Sequence, residues 1–251
     1  MRMRSPLPAV LGALALALIA ASLLVVARAT DPEPRVADNG RDPSRAAPPG
    51  AGGPRHQDAE RAPRRVGAER PRWPEVEWRR SVAIGAPEAG RLERGVLLPR
   101  EGAAFFTWDP LRKRQPNRSW RRWGTDDLVR TTLRVVREFA AAHPAAPRIG
   151  IGDLSRPEGG DFGPQYGGIG HATHQSGLDI DVYYPRRDEA ERAPPGASDI
   201  DPDLSQDLVD RFVAAGAVRI YVGPNTGLTG PPDIVTPLVN HDNHLHVRVS
   251  G

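Results

Sequence analysis

Residues 178–184 read Leu-Asp-Ile-Asp-Val-Tyr-Tyr, and residues 244–249 read His-Leu-His-Val-Arg-Val. Both stretches alternate polar and apolar side chains, which is the pattern of a β-strand that buries one of its two faces. The polar faces carry carboxylate, imidazole and guanidinium groups: Asp179, Asp181, His244, His246 and Arg248. Two such strands can place His246 and Asp181 on one metal ion.

The distribution of histidine supports a metal site, because five of the seven histidines lie within residues 171–174 and 241–246. His174 lies seven positions before Asp181, and Gly177 between them supplies the backbone freedom for a sharp turn into the strand. His174 is therefore a third candidate ligand. A catalytic zinc ion keeps three protein ligands and an open position for water, so the pattern favours a hydrolytic metal enzyme.

Two other interpretations of these residues stay open. The polar faces can be solvated sheet edges, but the apolar opposite faces argue against that. If the polar faces instead line a cleft, their ionisable groups would be costly without a cation. Two histidines and one carboxylate also form the triad that binds Fe(II) in oxygenases. The usual His-x-Asp spacing of that triad is missing from this sequence.

Longer motifs around the same residues resemble a known family. Residues 170–181 read Gly-His-Ala-Thr-His-Gln-Ser-Gly-Leu-Asp-Ile-Asp, and residues 241–248 read His-Asp-Asn-His-Leu-His-Val-Arg. Both are similar to the penicillin-insensitive murein endopeptidases, part of a wider group of zinc peptidases that includes lysostaphin-type enzymes and D-Ala-D-Ala metallopeptidases. Weaker similarity upstream follows the order of the family, so the resemblance covers about residues 78–251.

The resemblance implies a role for each histidine of the two motifs. It implies that zinc is held by three side chains: His174, Asp181 and His246. His244 would then be the general base. His171 would lie beside the metal, as a fourth ligand or next to the ligands, and His241 would assist the transition state.

Four further polar residues are candidates for supporting roles. Arg156 and Arg248 could stabilise an oxyanion, and Asp153 and Asp179 could accept hydrogen bonds that select the imidazole tautomers. The resemblance, together with the export signal described below, implies that the substrate is a peptide cross-link of peptidoglycan, above all the D-alanyl-diaminopimelyl bond.

Two alternative functions use the same residues. One is a D-Ala-D-Ala carboxypeptidase with the same zinc chemistry, and the other is a catalytically inactive module that binds cell-wall peptides. The inactive module is disfavoured because no expected ligand or base is missing. The sequence contains no Gly-x-Ser-x-Gly motif, so we do not expect β-lactams to acylate a serine in this protein.

Residues 1–29 are predicted to be a signal peptide or a membrane anchor, because Arg2 and Arg4 precede an apolar run at residues 9–27. The positive start places the amino terminus in the cytoplasm. We therefore expect the rest of the chain in the periplasm or cell-wall space, either released or anchored to the inner membrane. Residues 30–74 are rich in Pro, Gly, Ala and Arg, which predicts a disordered tether.

Residues 75–251 are predicted to form a single α+β domain, with helices packed on a central, mainly antiparallel sheet that carries the zinc site. One helix should begin at the Thr125 cap. A second should run from Asp203, with Gln206 completing a capping box and Gly216 ending the helix. Strands are expected at residues 148–152, 178–184, 218–222 and 245–249, and Pro- and Gly-rich loops at 185–202 and 223–237 should wall the cleft.

The chain has a net charge of +3, and residues 112–123 interleave arginine with tryptophan, a composition also found in nucleic-acid-binding proteins. Export argues against a nucleic-acid partner, whereas peptidoglycan is itself anionic. The expected partners are therefore the peptide stems of peptidoglycan, with the membrane contacted only through an uncleaved amino-terminal segment. The absence of cysteine excludes disulfide bonds.

Overall fold

Two helices and eleven strands form the part of the chain that the computed structural model describes, residues 73–168 and 172–251. The helices are α1 (Asp126–Ala142) and α2 (Pro202–Ala214). The strands are β1 (Val82–Ala86), β2 (Ala89–Glu93), β3 (Val96–Leu97), β4 (Glu101–Gly102), β5 (Phe105–Thr107), β6 (Trp123–Gly124), β7 (Ile149–Ile151), β8 (Asp179–Tyr183), β9 (Ala217–Val222), β10 (Val235–Pro237) and β11 (His244–Val249).

Several predictions fall on residues outside the described ranges. The signal or anchor at residues 1–29, nearly all of the tether at 30–74, and His171 are among them. Within the described ranges, no helix is both long enough and apolar enough to cross a membrane. The Arg137 guanidinium of α1 lies 4.4 Å from the ring centroid of Trp73, the first described residue.

The central sheet has seven strands in the order β10-β9-β11-β8-β7-β5-β4. Strand β11 pairs antiparallel with both β8 and β9, and β8 pairs antiparallel with β7. Only β9–β10 and β5–β7 are parallel among the described pairings of this sheet. The predicted α+β fold with a mainly antiparallel sheet is confirmed. Two small sheets, β1–β2 and β3–β6, complete the architecture.

The core lies on one face of the central sheet, where the apolar residues in and next to β8 and β11 meet the helices. These buried residues are Leu178, Ile180, Val182, Leu245, Val247 and Val249. They pack in one cluster with the apolar stripe of α1 and with α2, which also contacts β9. The alternation seen in the sequence therefore separates a core face from a polar face, and the polar face is left for chemistry.

Local signals explain where the helices begin and end. The Thr125 hydroxyl accepts a hydrogen bond from the Leu128 amide, so α1 begins at the predicted cap. The predicted capping box of α2 is wrong: Asp201 is the cap and accepts from the Leu204 amide at 3.0 Å. Gln206 instead bonds the backbone of Thr229 in the following loop.

Candidate metal centre

The register of β8 and β11 assembles the polar face of the site. His246 lies directly opposite Asp181, Arg248 opposite Asp179, and His244 opposite Tyr183. Directly opposed residues of an antiparallel pair have their Cβ atoms about 4.5–5.5 Å apart, so imidazole and carboxylate groups on one face meet. This pairing joins residues 65 positions apart in the chain.

His174 reaches the same point from a short 3₁₀ turn, His174–Ser176, immediately before β8. Gly177 ends this turn with a φ of +78°, a left-handed conformation that side chains with a Cβ rarely adopt. An added Cβ there would also lie 2.9 Å from the Leu92 side chain. Gly177 thus turns the chain into the strand, as the sequence predicted, and His174 is fully buried.

His174, Asp181 and His246 each direct a potential ligand atom to one point, and these atoms all lie within 4.8 Å of one another. Asp181 Oδ1 is 3.3 Å from His174 Nε2 and 3.1 Å from His246 Nδ1. The three residues are 0%, 7% and 1% exposed. A buried carboxylate between two imidazoles is the donor set of a divalent metal site, and a cation there would offset the cost of burying the charge.

Asp179 and Asp181 contact different ring nitrogens of His246, and Asp179 contacts Nε2. Its Oδ1 accepts from His246 Nε2 at 2.7 Å and from Arg248 Nε at 2.8 Å. His246 Nδ1 lies 3.1 Å from Asp181 Oδ1, so without a metal ion both ring nitrogens donate to carboxylates. A bound cation would replace the proton on Nδ1, while the proton on Nε2 stays with Asp179. Burial alone lowers the pKa of His246, but its hydrogen bonds to Asp179 and Asp181 outweigh burial and raise the pKa to about 9. The same concentration of negative charge favours a bound cation.

His244 stands at the margin of this group, with Nε2 3.8 Å from Asp181 Oδ1 and a side chain that is 12% exposed. Its Nδ1 donates to Asn243 Oδ1 at 2.6 Å, which leaves the Nε2 lone pair directed toward the site. The alternation pattern missed Asn243, because this residue precedes β11 and does not belong to its polar face.

The ring of His241 stacks against His244, with centroids 4.8 Å apart and planes inclined by 29°. His241 Nδ1 donates to the Val239 carbonyl at 2.8 Å, and burial lowers the pKa of this imidazole. The neutral ring therefore presents the lone pair of Nε2. Assistance to an oxyanion from Nε2 would need the protonated ring, and the role of His241 in the transition state stays a prediction.

Of the four predicted supporting residues, Asp179 contacts a candidate ligand through its side chain, and Arg248 donates to Asp179. The expectation that Asp153 binds an imidazole is not met, because its carboxylate pairs with Arg121 and accepts from Asn117. Asp153 acts through its backbone instead, since its carbonyl accepts from the Asp181 amide at 2.9 Å. The Arg156 guanidinium lies 4.2 Å from the Tyr166 ring centroid.

The fold and this site define an α+β protein with a buried His/Asp/His group suited to a divalent metal. Residues 83–211 match the sequence model of the penicillin-insensitive murein endopeptidases, and the chain belongs to this family. The matched segment contains His174 and Asp181 but ends before β9. The strand register, and not that match, therefore connects His246 and His244 with the two upstream residues.

A curated relative is also similar to this chain, the penicillin-insensitive murein endopeptidase of Yersinia enterocolitica serotype O:8 / biotype 1B. The two sequences are 28% identical over 193 residues, which is 66% of this chain and 65% of the relative. The chain thus spans just under two-thirds of the length of the relative that it matches.

Proposed function

We propose that this protein is an exported zinc peptidase that hydrolyses the peptide cross-links of peptidoglycan, in particular the D-alanyl-diaminopimelyl bond. The observation that carries the proposal is the buried convergence of His174, Asp181 and His246, with the partly exposed His244 beside it, in a chain of this family. The members of the family and the Yersinia relative are described as penicillin-insensitive murein endopeptidases.

Zinc is the proposed ion because two imidazoles and one carboxylate suit its ligand preference and leave a position open. When bound, zinc polarises a carbonyl group and lowers the pKa of a coordinated water. The residues that would hold it are His174 through Nε2, His246 through Nδ1, and Asp181. Asp179 keeps the proton of His246 on Nε2, so that Nδ1 stays available as a ligand.

His244 is the proposed general base. Because Asn243 accepts the proton of Nδ1, the Nε2 atom of His244 carries the lone pair that would take a proton from the attacking water. The same atom can return that proton to the leaving amine. Stacking on His241 limits rotation of the ring and so helps to hold Nε2 toward the site.

The proposed location is the periplasm or cell-wall space, to which residues 1–29 would direct the chain. Fractionation of cells that express the tagged full-length protein tests this part separately. We expect the tag outside the cytoplasm, in the soluble exported fraction if the signal is cleaved and in the inner membrane if it is not. A cytoplasmic pool would contradict export.

The enzymatic part is tested with the full-length protein, purified in detergent, stripped with a chelator and reloaded with zinc. Zinc should bind with a stoichiometry of one per chain and restore conversion of cross-linked dimeric muropeptides into monomers, without release of free alanine. Free alanine without monomers would identify a carboxypeptidase. Zinc binding without any turnover would identify an inactive peptide-binding module, and iron in the native protein would refute the zinc assignment.

Two histidine variants separate ligand from base. His246→Ala should lose both metal and activity, whereas His244→Ala should keep its metal and lose on the order of 10²- to 10⁴-fold in rate. His143→Ala is the matched control, because this imidazole contacts Asp207 between the helices and lies outside the site. Loss of metal from His244→Ala but not from His246→Ala would reverse the proposed roles.

A further inference from the structure

A cavity of about 650 Å³ opens beside Trp123, and no residue of the metal centre lines it. A smaller cavity of about 230 Å³ adjoins it and shares Arg79, Gly95 and Trp123. Ligand sites in proteins commonly have volumes of about 300–1,000 Å³ and combine an aromatic surface with a few polar groups. The larger cavity has a volume in this range and an aromatic side chain, Trp123, and its rim is rich in guanidinium and carboxylate groups: Arg79, Arg91, Glu93, Arg94 and Glu158.

Trp123 is held so that its side chain points away from the core. Its backbone pairs with Leu97 of β3 on one edge. On the other edge it exchanges two hydrogen bonds with Ser155: the Trp123 amide donates to the Ser155 carbonyl at 3.1 Å, and the Ser155 amide donates to the Trp123 carbonyl at 2.7 Å. The next residue, Gly124, faces the core side chains of Leu128 and Leu154. Because successive residues of a strand point to opposite faces, the indole of Trp123 is directed to the cavity.

The two tryptophans of the basic segment 112–123 differ in their surroundings. Trp120 packs against the rings of Phe162 and Tyr166, and the guanidinium of Arg118 lies 4.6 Å from its ring centroid. Among the described residues, neither a ring nor a guanidinium stacks on Trp123. Trp120 therefore belongs to the packing of the fold, whereas Trp123 offers an aromatic face to a ligand.

The charges on the rim are nearly balanced, which argues against an anionic ligand. Arg79 pairs with Glu77 at 2.6 Å and Arg91 pairs with Glu93 at 3.2 Å. Such a rim offers N–H donors and carboxylate acceptors side by side. A neutral molecule with many hydroxyl groups uses both kinds of group, and the C–H face of a sugar ring stacks on the negative face of an indole.

The cavity is joined to the candidate metal centre by backbone hydrogen bonds. The Leu92 amide donates to the Glu158 carbonyl at 3.0 Å, and the Gly160 amide donates to the Gln175 carbonyl at 2.9 Å. Gln175 directly follows His174. The cavity wall and the turn that carries a metal ligand are therefore parts of one hydrogen-bonded unit.

We propose that the two adjoining cavities bind a stretch of uncharged pyranose chain, with the Trp123 indole under one sugar ring. The guanidinium and carboxylate groups of the rim would bind the hydroxyl and acetamide groups of the neighbouring rings. The assignment of these rings to N-acetylated amino sugars of the wall glycan rests on the proposed function. The site would hold the glycan strand while the metal centre acts on its peptide.

Binding is tested with chitotetraose, a neutral chain of four N-acetylglucosamine rings, and the full-length protein in detergent. Trp123→Ala should weaken binding by about tenfold or more, because it removes the stacking surface. Arg91→Ala, a change at an exposed rim position, should weaken it several-fold without affecting the fold. Trp78→Ala is the control, since that exposed indole lies over Arg130 and lines neither cavity, so its loss should leave binding unchanged.

Binding should persist at about 1 M salt, where the Debye length is about 3 Å and attraction between exposed charges is screened. Wild-type affinity in Trp123→Ala, or loss of binding at high salt, would overturn the saccharide site. An activity comparison adds a second test. Trp123→Ala should match the wild type on cross-linked stem peptides without sugar, and it should be slower on intact peptidoglycan.

Equal loss on both substrates would place Trp123 in the peptide site or in the stability of the fold, and would refute the proposal. Failure of the proposed function has a different signature. In that case the wild type would leave the sugar-free cross-linked peptide intact, while chitotetraose would still bind in a Trp123-dependent manner.

Discussion

Substitution of Asp179 by asparagine tests whether this residue keeps His246 competent to bind a metal. Asp179 is fully buried, and its Oδ1 accepts from both His246 Nε2 at 2.7 Å and Arg248 Nε at 2.8 Å. Removing one partner of a buried ion pair costs about 3–5 kcal/mol. The asparagine oxygen can still accept a hydrogen bond, so we expect Asp179→Asn to lose about 3 kcal/mol, at the lower end of that range.

The effect on metal binding is separate from this loss of stability. Without the carboxylate, nothing of equal strength keeps the proton of His246 on Nε2, and the Nδ1 atom is a poorer ligand. Loss of such a supporting partner typically lowers metal affinity by about 10- to 100-fold. Urea unfolding of the metal-free full-length protein measures the first effect, and zinc competition with a chromogenic chelator measures the second.

Asp109→Asn is the matched control. Asp109 is also fully buried and pairs with Arg118 at 2.7 Å, but its carboxylate contacts none of the metal-site histidines among the described residues. It should lose stability to a similar extent, about 3 kcal/mol, with zinc affinity unchanged. If Asp179→Asn bound zinc as tightly as the wild type, or if Asp109→Asn lost the same affinity, the positioning role of Asp179 would be refuted.

Two further predictions concern the fold. Leu245→Ala should lower the free energy of unfolding by about 2–5 kcal/mol, because Leu245 is fully buried in the middle of the sheet. Urea unfolding measures this change, and a loss below about 1 kcal/mol would contradict that packing. Burial alone raises the pKa of Asp207, but hydrogen bonds from Arg211 and His143 outweigh it and hold the pKa below 3.8. The stabilisation of the folded state by Asp207 should be present above that value and lost as pH falls through the lower folded pKa. Asp207→Asn should therefore lower the free energy of unfolding by less than about 1 kcal/mol at neutral pH and leave it unchanged in strong acid. A difference that grows toward acid pH in the unfolding curves would be inconsistent with this assignment.

The sequence alone was sufficient where neighbouring residues determine the structure. Alternation of apolar and polar side chains predicted β8 and β11 and which of their faces packs into the apolar core. Thr125 was recognised as the cap of α1, and Gly216 as the end of α2, where its φ is +89°. The composition and spacing of the histidine motifs also pointed to the His174, Asp181 and His246 group. The strands and the helix ends depend on a side-chain period or on local backbone geometry, whereas the histidine motifs only name the candidate ligands.

Other features of the molecule were decided by tertiary structure. Nothing in the sequence specifies that β11 lies between β8 and β9, yet this order and its register bring His246 to Asp181. Asp153 pairs with Arg121 and not with an imidazole, because the chain that follows β7 meets the Ser119–Arg121 turn in the fold. Trp120 and Trp123 look alike in the sequence, but one packs against Phe162 and Tyr166 and the other lines a cavity. These contacts are set by the pairing of distant segments. The free energy that favours this pairing comes from burial of apolar surface over the whole core, and a local sequence pattern does not encode it.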